Sequence, residues 1–290
     1  MGSLNPQRGV ALDNSNNVYV VEVYGNRVQK FDSNGNFLIK FGGYGTGDGQ
    51  FKYPQGVATD ASGNVYVVDT VNYRIQKFDS NGNYVTKWGS YGTGDGQFKY
   101  PRGITIDFLG NVYVVDSENK RVQKFDSSGN FLMKFGSLGS GDGQFGWLSQ
   151  LTVDSSGNIY VADESNHRIQ KFDSNGTFLS KFGTYGSGEN QLVAPTGIST
   201  LPDGRLVVAD SGNNRVVIYG IPPLQFSSIT PVTVGTTTTI SFTTSDIGST
   251  QVDYGITPSL GNTTIETDTS TRVTSTLFIY HHCTMYHSLL

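Results

Sequence analysis

The chain has 290 residues, of which 37 are glycine, and only 15% of its residues carry a charge. This composition provides many turns and few long solvated helices, which favours an all-β protein. The formal net charge of −4 gives the chain as a whole no attraction for a polyanion, so nucleic acid is disfavoured as its main partner. The only cysteine, Cys283, excludes an intrachain disulfide, and no apolar run reaches the roughly 18 residues of a membrane span.

A pattern of charged residues recurs along most of the chain at an interval of 47 residues. Each of five successive units contains an arginine with an acidic residue five positions before it. The pairs are Glu22 and Arg27, Asp69 and Arg74, Asp116 and Arg121, Asp163 and Arg168, and Asp210 and Arg215. Because every unit contains the pair, we interpret it as structural, a capped turn and an ion pair that join neighbouring elements.

Within one unit, four short runs of β-branched and aromatic residues predict four strands, a to d. In the second unit these runs are GVATD (56–60), NVYVVD (64–69), RIQKFD (74–79) and YVTKWG (84–89). DASGN and DSNGN separate a from b and c from d, and their glycines accept the positive φ of hairpin turns. Four antiparallel strands in a period of this length are typical of a β-propeller blade.

A glycine-rich stretch, FGGYGTGDGQFKYP (41–54), recurs as WGSYGTGDGQFKYP (88–101). It suggests a phosphate-binding loop, but a strand rather than a helix follows it, and Lys52 is replaced by glycine and valine in later copies. We therefore predict that it connects strand d of one blade to strand a of the next. One apolar residue in each copy is expected to wedge between blades: Phe51, Phe98, Phe145 and Leu192.

The segment YPQGVATDASGNVYVVDTVNYRIQKFDSNGNYVTKWG resembles an NHL repeat in its Pro-x-Gly entry, its Gly-Asn-x-Tyr-Val-x-Asp centre and its Asn-x-Arg-Ile-Gln core. The resemblance extends from Gly9 to about Gly220 in five units. The resemblance implies a propeller of four-stranded blades, and in this family six blades usually close the ring. The fifth unit has prolines where strand d is expected. A ring closed by five blades, an incomplete ring, and a ring completed by other sequence all remain open.

After Gly220 the composition changes, and the chain becomes rich in threonine. TTTTISFTTS (236–245) and STQVDYG (249–255) resemble the first half of a fibronectin type III-like sandwich. We therefore expect an NHL-type propeller over residues 1–220 and a partial β-sandwich with an atypical tail over 221–290. His281, His282, Cys283 and His287 lie in that tail, where we predict no shell that orients them, so neither a metal nor a cofactor is expected.

Strand direction places the d-to-a linkers and the b-to-c loops on one face of the propeller, the top face. Two sets of residues on it vary between units and are candidates for ligand binding. The first set follows each proline-equivalent position, at the mouth of the central channel: Gln55, Arg102, Ser149 and Thr196. The second set lies in the b-to-c loops, two residues after each acidic residue: Tyr24, Val71, Glu118, Ser165 and Gly212, together with His167. Neutral variation on a solvent-exposed face is the alternative explanation.

The predicted function is a non-enzymatic module that presents the top face and channel mouth to a protein, peptide or glycan. No catalytic residues are assigned, and an enzyme is the less favoured interpretation. Some propellers similar to this family are zinc-dependent lyases, whose chemistry needs several histidines, and this propeller has one, His167. A lyase or hydrolase acting in the channel remains the alternative, and RNA binding is less favoured. An extracellular or cell-surface location is expected, with a cytoplasmic one as the alternative; the oligomeric state is left open.

Overall fold

The computed structural model describes residues 7–220 and, beyond them, the backbone of six strands. Those strands span Phe226–Val234, Thr237–Thr244, Thr250–Tyr254, Asn262–Glu266, Thr274–Tyr280 and Tyr286–Ser288. The chain divides into two compact units, Met1–Gly220 and Ile221–Leu290. Among the described residues, no helix has the length and apolarity needed to cross a bilayer.

The first unit contains five antiparallel sheets that follow one another along the chain. Two linkers each add a short parallel pair of strands, Ser137–Leu138 with Gln144–Phe145 and Thr184–Tyr185 with Gln191–Leu192. Blades 1 to 4 contain strands a, b, c and d in that order, and blade 5 contains a, b and c. The strands are Gln7–Leu12, Val18–Glu22, Arg27–Phe31 and Phe37–Gly42 in blade 1; Val57–Thr59, Val65–Asp69, Arg74–Phe78 and Tyr84–Trp88 in blade 2; Pro101–Ile106, Val112–Asp116, Arg121–Phe125 and Phe131–Phe135 in blade 3; Leu148–Val153, Ile159–Asp163, Arg168–Phe172 and Phe178–Phe182 in blade 4; and Pro195–Thr200, Leu206–Asp210 and Arg215–Tyr219 in blade 5. The predicted all-β propeller of four-stranded blades is confirmed, with the last blade one strand short.

The hairpin turns form as their sequences predict. In the a-to-b turn of blade 2, the Asp60 carboxylate accepts hydrogen bonds from the backbone N–H groups of Ser62 and Asn64, at 3.0 and 2.9 Å. Gly63 in the same turn has φ +81°, a conformation that glycine adopts without steric strain. Short 3-10 turns at Thr70–Asn72, Glu164–Asn166 and Ser211–Asn213 connect strands b and c in blades 2, 4 and 5.

The hydrophobic core lies between consecutive blades. Four clusters join blade 1 to 2, 2 to 3, 3 to 4 and 4 to 5. Phe98, from the linker that enters blade 3, is fully buried in the second interface, where its ring centroid lies 5.7 Å from that of Phe125. Gly89 makes room for it, because a Cβ at Gly89 would lie 2.8 Å from the Phe98 ring. The predicted wedge between blades is therefore confirmed, and its counterparts Phe51, Phe145 and Leu192 are also fully buried.

The acidic residue and the arginine of each later unit fix the incoming linker. The Asp69 carboxylate is fully buried and accepts hydrogen bonds from Arg74 Nε and the backbone N–H of Lys52, both at 2.7 Å. The Arg74 guanidinium donates to the carbonyl oxygens of Thr46, Gly47 and Gln50, each at 2.8 Å. Equivalent bonds join Arg121, Arg168 and Arg215 to their own linkers. The pair therefore holds in place the linker that joins one blade to the next.

The second unit consists of two three-stranded antiparallel sheets. In one, strand 237–244 pairs with 226–234 and 274–280; in the other, strand 250–254 pairs with 262–266 and 286–288. The fibronectin-like interpretation depends on connections that lie outside the described residues, so it stays a prediction. His281, His282 and Cys283 also lie outside them, as does the side chain of His287.

Truncating the wedge tests the core between blades. Phe98→Ala removes a fully buried ring from the interface between blades 2 and 3, and we expect it to lower the free energy of unfolding by about 3–5 kcal/mol. Urea unfolding followed by intrinsic fluorescence measures the change. Phe108→Ala is the matched control, because Phe108 is 73% exposed; its effect should stay within about 0.5 kcal/mol. Equal effects for the two variants would contradict a core located between the blades.

Neutralising the buried acid tests the fastening of the linker. Asp116→Asn leaves the buried Arg121 guanidinium without its counter-charge, and we expect a loss of about 3–5 kcal/mol in the free energy of unfolding. The control is Asp95→Asn, since Asp95 pairs with Lys134 on the surface, where both side chains are about half exposed. That variant should change stability by less than about 1 kcal/mol. A small effect for Asp116→Asn would remove the pair from the interactions that hold consecutive blades together.

Candidate ligand site at the channel mouth

A polar cavity of about 330 Å³ opens where the inner strands begin. Its lining residues are Arg8, Gln55, Arg102, Ser149, Gln150, Glu164 and Thr196. Five of them, Arg8, Gln55, Arg102, Ser149 and Thr196, occupy equivalent positions 47 residues apart, one at strand a of each blade. Because consecutive blades repeat the same backbone path, equivalent positions are brought together around the central channel. The structure therefore places all four predicted mouth residues in one cavity.

Arg8 also belongs to this set but is missing from the prediction. The predicted mouth residues directly follow the proline-equivalent position of each unit. In the first unit this position is Gln7, and the nearby proline, Pro6, lies one residue earlier. Extending the 47-residue period one unit upstream from Gln55 identifies Arg8 without the proline. Its Nη1 atom lies 3.5 Å from Gln55 Oε1, so the two side chains meet at the mouth.

Arg102 is the most buried charged group of the cavity, with a side chain that is 12% exposed. Its guanidinium lies over the rings of Trp147 and Tyr100, 5.0 and 5.7 Å from their centroids. Its Nη1 atom donates to Glu164 Oε2 at 3.2 Å, whereas its buried Nε–H has no hydrogen-bond partner among the described residues. Burial lowers the pKa of Arg102, and the Arg8 charge acts in the same direction while Glu164 opposes it.

Glu164 is a second residue that the sequence prediction misses. It directly follows the structural Asp163, at the start of the 3-10 turn. The predicted position in the b-to-c loop is one residue further on, where blade 4 has the exposed Ser165. The residue immediately after the acid is the one that reaches the cavity, because strand b ends beside the channel and the chain then turns away from it. Ser211 is the equivalent of Glu164 in blade 5, and its hydroxyl also contacts a mouth residue, Thr196.

The three predicted b-to-c loop residues do not line the cavity. Tyr24 is 64% exposed, and its ring contacts that of Tyr53, 5.9 Å away. Glu118 is exposed, and its backbone N–H donates to the carbonyl oxygen of Lys99. His167 accepts a hydrogen bond from the backbone N–H of Ala194 through Nδ1, at 3.0 Å, and packs on Tyr185. These three positions lie in the turns that follow strand b, so a role for them in ligand binding stays a prediction.

The lining of the cavity is polar and carries charges of both signs. Two guanidinium groups face one carboxylate, Glu164, and the remaining lining groups are amides and hydroxyls that donate and accept hydrogen bonds. Within residues 7–220, no group of three or more histidine, cysteine or acidic side chains is arranged to hold a metal ion. Charge and hydrogen bonding are therefore the interactions that this lining offers.

Comparisons with known proteins agree with the fold. Four segments match the NHL repeat family, at residues 51–78, 98–125, 145–172 and 192–219. A search of curated proteins gives no match. One similar solved structure is a protein of unknown function from Bacteroides caccae, with 17% identity and a TM-score of 0.54 over 70% of each chain.

Virginiamycin B lyase from Staphylococcus aureus is also similar, with 12% identity and a TM-score of 0.55 over 91% of this chain and 85% of the lyase. A catalytically inactive histidine-to-alanine variant of that lyase, with quinupristin, has 13% identity and a TM-score of 0.55 over 83% and 80% of the two chains. At these identities the likeness shows the fold alone. The four matched segments show that the chain contains NHL repeats, and the structure shows that its N-terminal unit is a five-bladed β-propeller.

Proposed function

We propose that this protein is a non-enzymatic binding module and that the channel mouth binds a carboxylate group of a protein, peptide or glycan ligand. The observation that carries the proposal is the pair of guanidinium groups, Arg8 and Arg102, at one cavity whose lining contains a single carboxylate, Glu164. Arg102 makes one side-chain hydrogen bond among the described residues, from Nη1 to Glu164. A further hydrogen bond from a charged guanidinium to a ligand oxygen contributes about 1.5–3 kcal/mol.

The geometry of the guanidinium favours a carboxylate over a neutral acceptor. Arg102 engages Glu164 through Nη1, and arginine has five N–H donors in a planar fork that matches two carboxylate oxygens. Arg8 brings a second positive charge to the same cavity. With Glu164 as the only acid among the lining residues, the lining has a net charge of +1 although the chain as a whole has −4.

The other lining groups support recognition of the rest of such a ligand. Gln55 and Gln150 offer amides, and Ser149 and Thr196 offer hydroxyls. Gln55 and Ser149 are both buried, at 6% and 8% exposure, so their polar atoms are held in place before a ligand arrives. Preorganised groups of this kind reduce the entropic cost of binding.

The proposal includes an extracellular or cell-surface setting. Its support is the sequence resemblance of residues 221–290 to a fibronectin type III-like domain, since such domains accompany binding modules outside cells. Nucleic acid is not the proposed partner, because the two mouth arginines are accompanied by Glu164 rather than by further basic residues.

Binding arrays of acidic and neutral glycans and of peptides with free or amidated C-termini test the proposed ligand class. We expect selective binding of the carboxylate-bearing members, and a loss of at least about tenfold in affinity for Arg102→Ala, as for removal of a charge-assisted hydrogen bond. Arg102→Lys should be nearly as weak, because lysine lacks the planar fork.

Arg205→Ala is the matched control for that measurement. Arg205 is also paired with one acid, Asp203, but it belongs to the a-to-b turn of blade 5 and does not line the cavity. Its substitution should leave the affinity unchanged. Equal binding of neutral and acidic ligands, or equal binding by Arg102→Ala and the parent chain, would remove the channel mouth from the proposal.

A lyase or hydrolase acting in the channel is the second candidate, and its support is the likeness of fold to virginiamycin B lyase. The single histidine of residues 7–220, His167, lies outside the cavity, so the acidic residue available at the mouth is Glu164. This candidate requires turnover that survives metal chelation and is lost in Glu164→Gln. Binding without turnover across a substrate panel would favour the binding module.

A further inference from the structure

Three charged side chains line the channel mouth, and each keeps hydrogen-bonding capacity for a ligand. The Glu164 carboxylate accepts one side-chain hydrogen bond among the described residues, from Arg102 Nη1 to Oε2, and its Oε1 has no donor among them. Arg8 Nη1 lies 3.5 Å from Gln55 Oε1, at the outer limit of a hydrogen bond, and the other donors of that guanidinium have no acceptor in residues 7–220. The mouth therefore offers a ligand two cationic donors and one anionic acceptor.

Gln150 replaces a glycine that packing requires in other blades. The four other blades have glycine at this position of strand a: Gly9, Gly56, Gly103 and Gly197. At the first three, an added Cβ would lie 2.6, 2.4 and 2.7 Å from a backbone carbonyl oxygen of the next blade. Blade 4 has a long side chain instead, and Gln150 lines the cavity. A Cβ at Gly103 would also lie 2.9 Å from Gln150 Oε1, so the amide lies against the inner strand of blade 3. The replacement adds a polar group at the mouth where packing favours none.

Glu164 departs from the repeat in the same blade. Its equivalents in the other blades are uncharged: Val23, Thr70, Ser117 and Ser211. Ser117 Oγ donates to the carbonyl oxygen of Leu148 at 2.8 Å, so a side chain at this position can bind strand a of the following blade. The Glu164 carboxylate bonds instead to Arg102 in the preceding blade. Blade 4 therefore places both an amide and a negative charge at the mouth through two departures from the repeat.

The charges of the lining define the charges of the ligand that fits. A ligand with carboxylates alone pairs with Arg8 and Arg102 but brings a like charge to Glu164, which costs free energy. A ligand that also carries an ammonium group pairs with all three side chains. Two carboxylates and one ammonium give such a ligand a net charge of −1, which is opposite to the +1 of the lining.

The size and the neutral groups of the cavity favour a short peptide. Its volume of about 330 Å³ lies at the lower end of the roughly 300–1,000 Å³ of small-molecule sites, so one or two residues fit there. A free acidic amino acid would use the three charged side chains and leave the amides of Gln55 and Gln150 out of the contact. A peptide unit adds one N–H donor and one carbonyl acceptor, and a glutamine amide can bind both.

We propose that the ligand of the channel mouth is a short acidic peptide with free ends, whose C-terminal carboxylate binds Arg102, whose side-chain carboxylate binds Arg8 and whose ammonium binds Glu164. The proposal rests on the proposed function, to which it adds the second carboxylate and the ammonium. The C-terminal carboxylate binds Arg102 because that guanidinium is the more buried of the two and is held over the Trp147 ring. Arg8 is exposed, so it can follow a side-chain carboxylate. The Gln150 amide binds the peptide unit between the charges.

Isothermal titration calorimetry of the full chain with four dipeptides tests each charge separately. Alanyl-glutamate carries all three charges. Its N-acetyl form lacks the ammonium, alanyl-glutamine lacks the side-chain carboxylate, and the α-amide of alanyl-glutamate lacks the C-terminal carboxylate. We expect alanyl-glutamate to bind most tightly and each of the others to bind at least about tenfold more weakly, as for the loss of a hydrogen bond to a charged group.

Two variants connect these preferences with the side chains that cause them. Glu164→Gln should bind the free and the N-acetyl dipeptide equally, because it lacks the charge that pairs with the ammonium, and it should keep the preference for glutamate over glutamine. Arg8→Gln should lose the preference for glutamate over glutamine and keep the preference for the free ammonium. Glu189→Gln and Arg205→Gln are the matched controls, because neither residue lines the cavity. Both controls should keep all the preferences of the parent chain.

Three outcomes would overturn the acidic peptide and leave the proposed function standing. The first is equal affinity for the free and N-acetyl dipeptides, or a preference between them that survives Glu164→Gln. The second is equal affinity for alanyl-glutamate and alanyl-glutamine. The third is failure of every dipeptide to bind while larger carboxylate-bearing members of the arrays do bind. An α-amide that binds as tightly as the free acid would contradict the proposed function itself.

Discussion

The fold of the propeller depends on the hydrogen bonds that hold the linker between each blade and the blade before it. A blade is a small sheet with two apolar faces, and neither face can be buried within the blade itself. The buried pair formed by Asp69 and Arg74 holds the linker from blade 1 by its carbonyl oxygens and by one backbone N–H. With the linker fixed, Phe51 lies between the two blades. Burying two charges is costly, and here almost every polar atom of the pair is used to position the next blade.

The same fastening explains why a site can form at the channel mouth. The inner strand of each blade begins directly after the fixed linker, so the residue at its start occupies a defined place beside the channel. The side chain there makes no contribution to the fastening, and its identity varies from Gln55 to Arg102 to Ser149. A rigid frame with variable positions at one opening supports recognition without changing the blades. In blade 3 this variable position is Arg102, whose buried guanidinium lies over the Trp147 ring.

Much of this arrangement was predictable because the chain repeats. The 47-residue period identified the strands, the structural role of the acid and arginine, the linker and its wedge, and four of the mouth residues. The period did not identify a mouth residue where a unit departs from its neighbours. It also did not show which side of the chain faces the channel. Arg8 was missed because Gln7 replaces the proline used as a marker. Tyr24, Glu118 and His167 lie in the turns after strand b and outside the cavity, so the period alone did not separate the top-face positions that line the mouth from those that do not.

The sequence by itself determined the local structure and the order of the blades, because strand periodicity, turn chemistry and the repeated ion pair act over short distances and recur five times. Only the tertiary structure decided which residues meet. Arg102 and Glu164 are 62 positions apart and come from different blades, so their contact depends on the angle between blades rather than on either sequence. Val10 and Val216 show the same dependence: both lie in ordinary strands and are 66% exposed, whereas Val57 and Ile169 at equivalent positions are buried between blades.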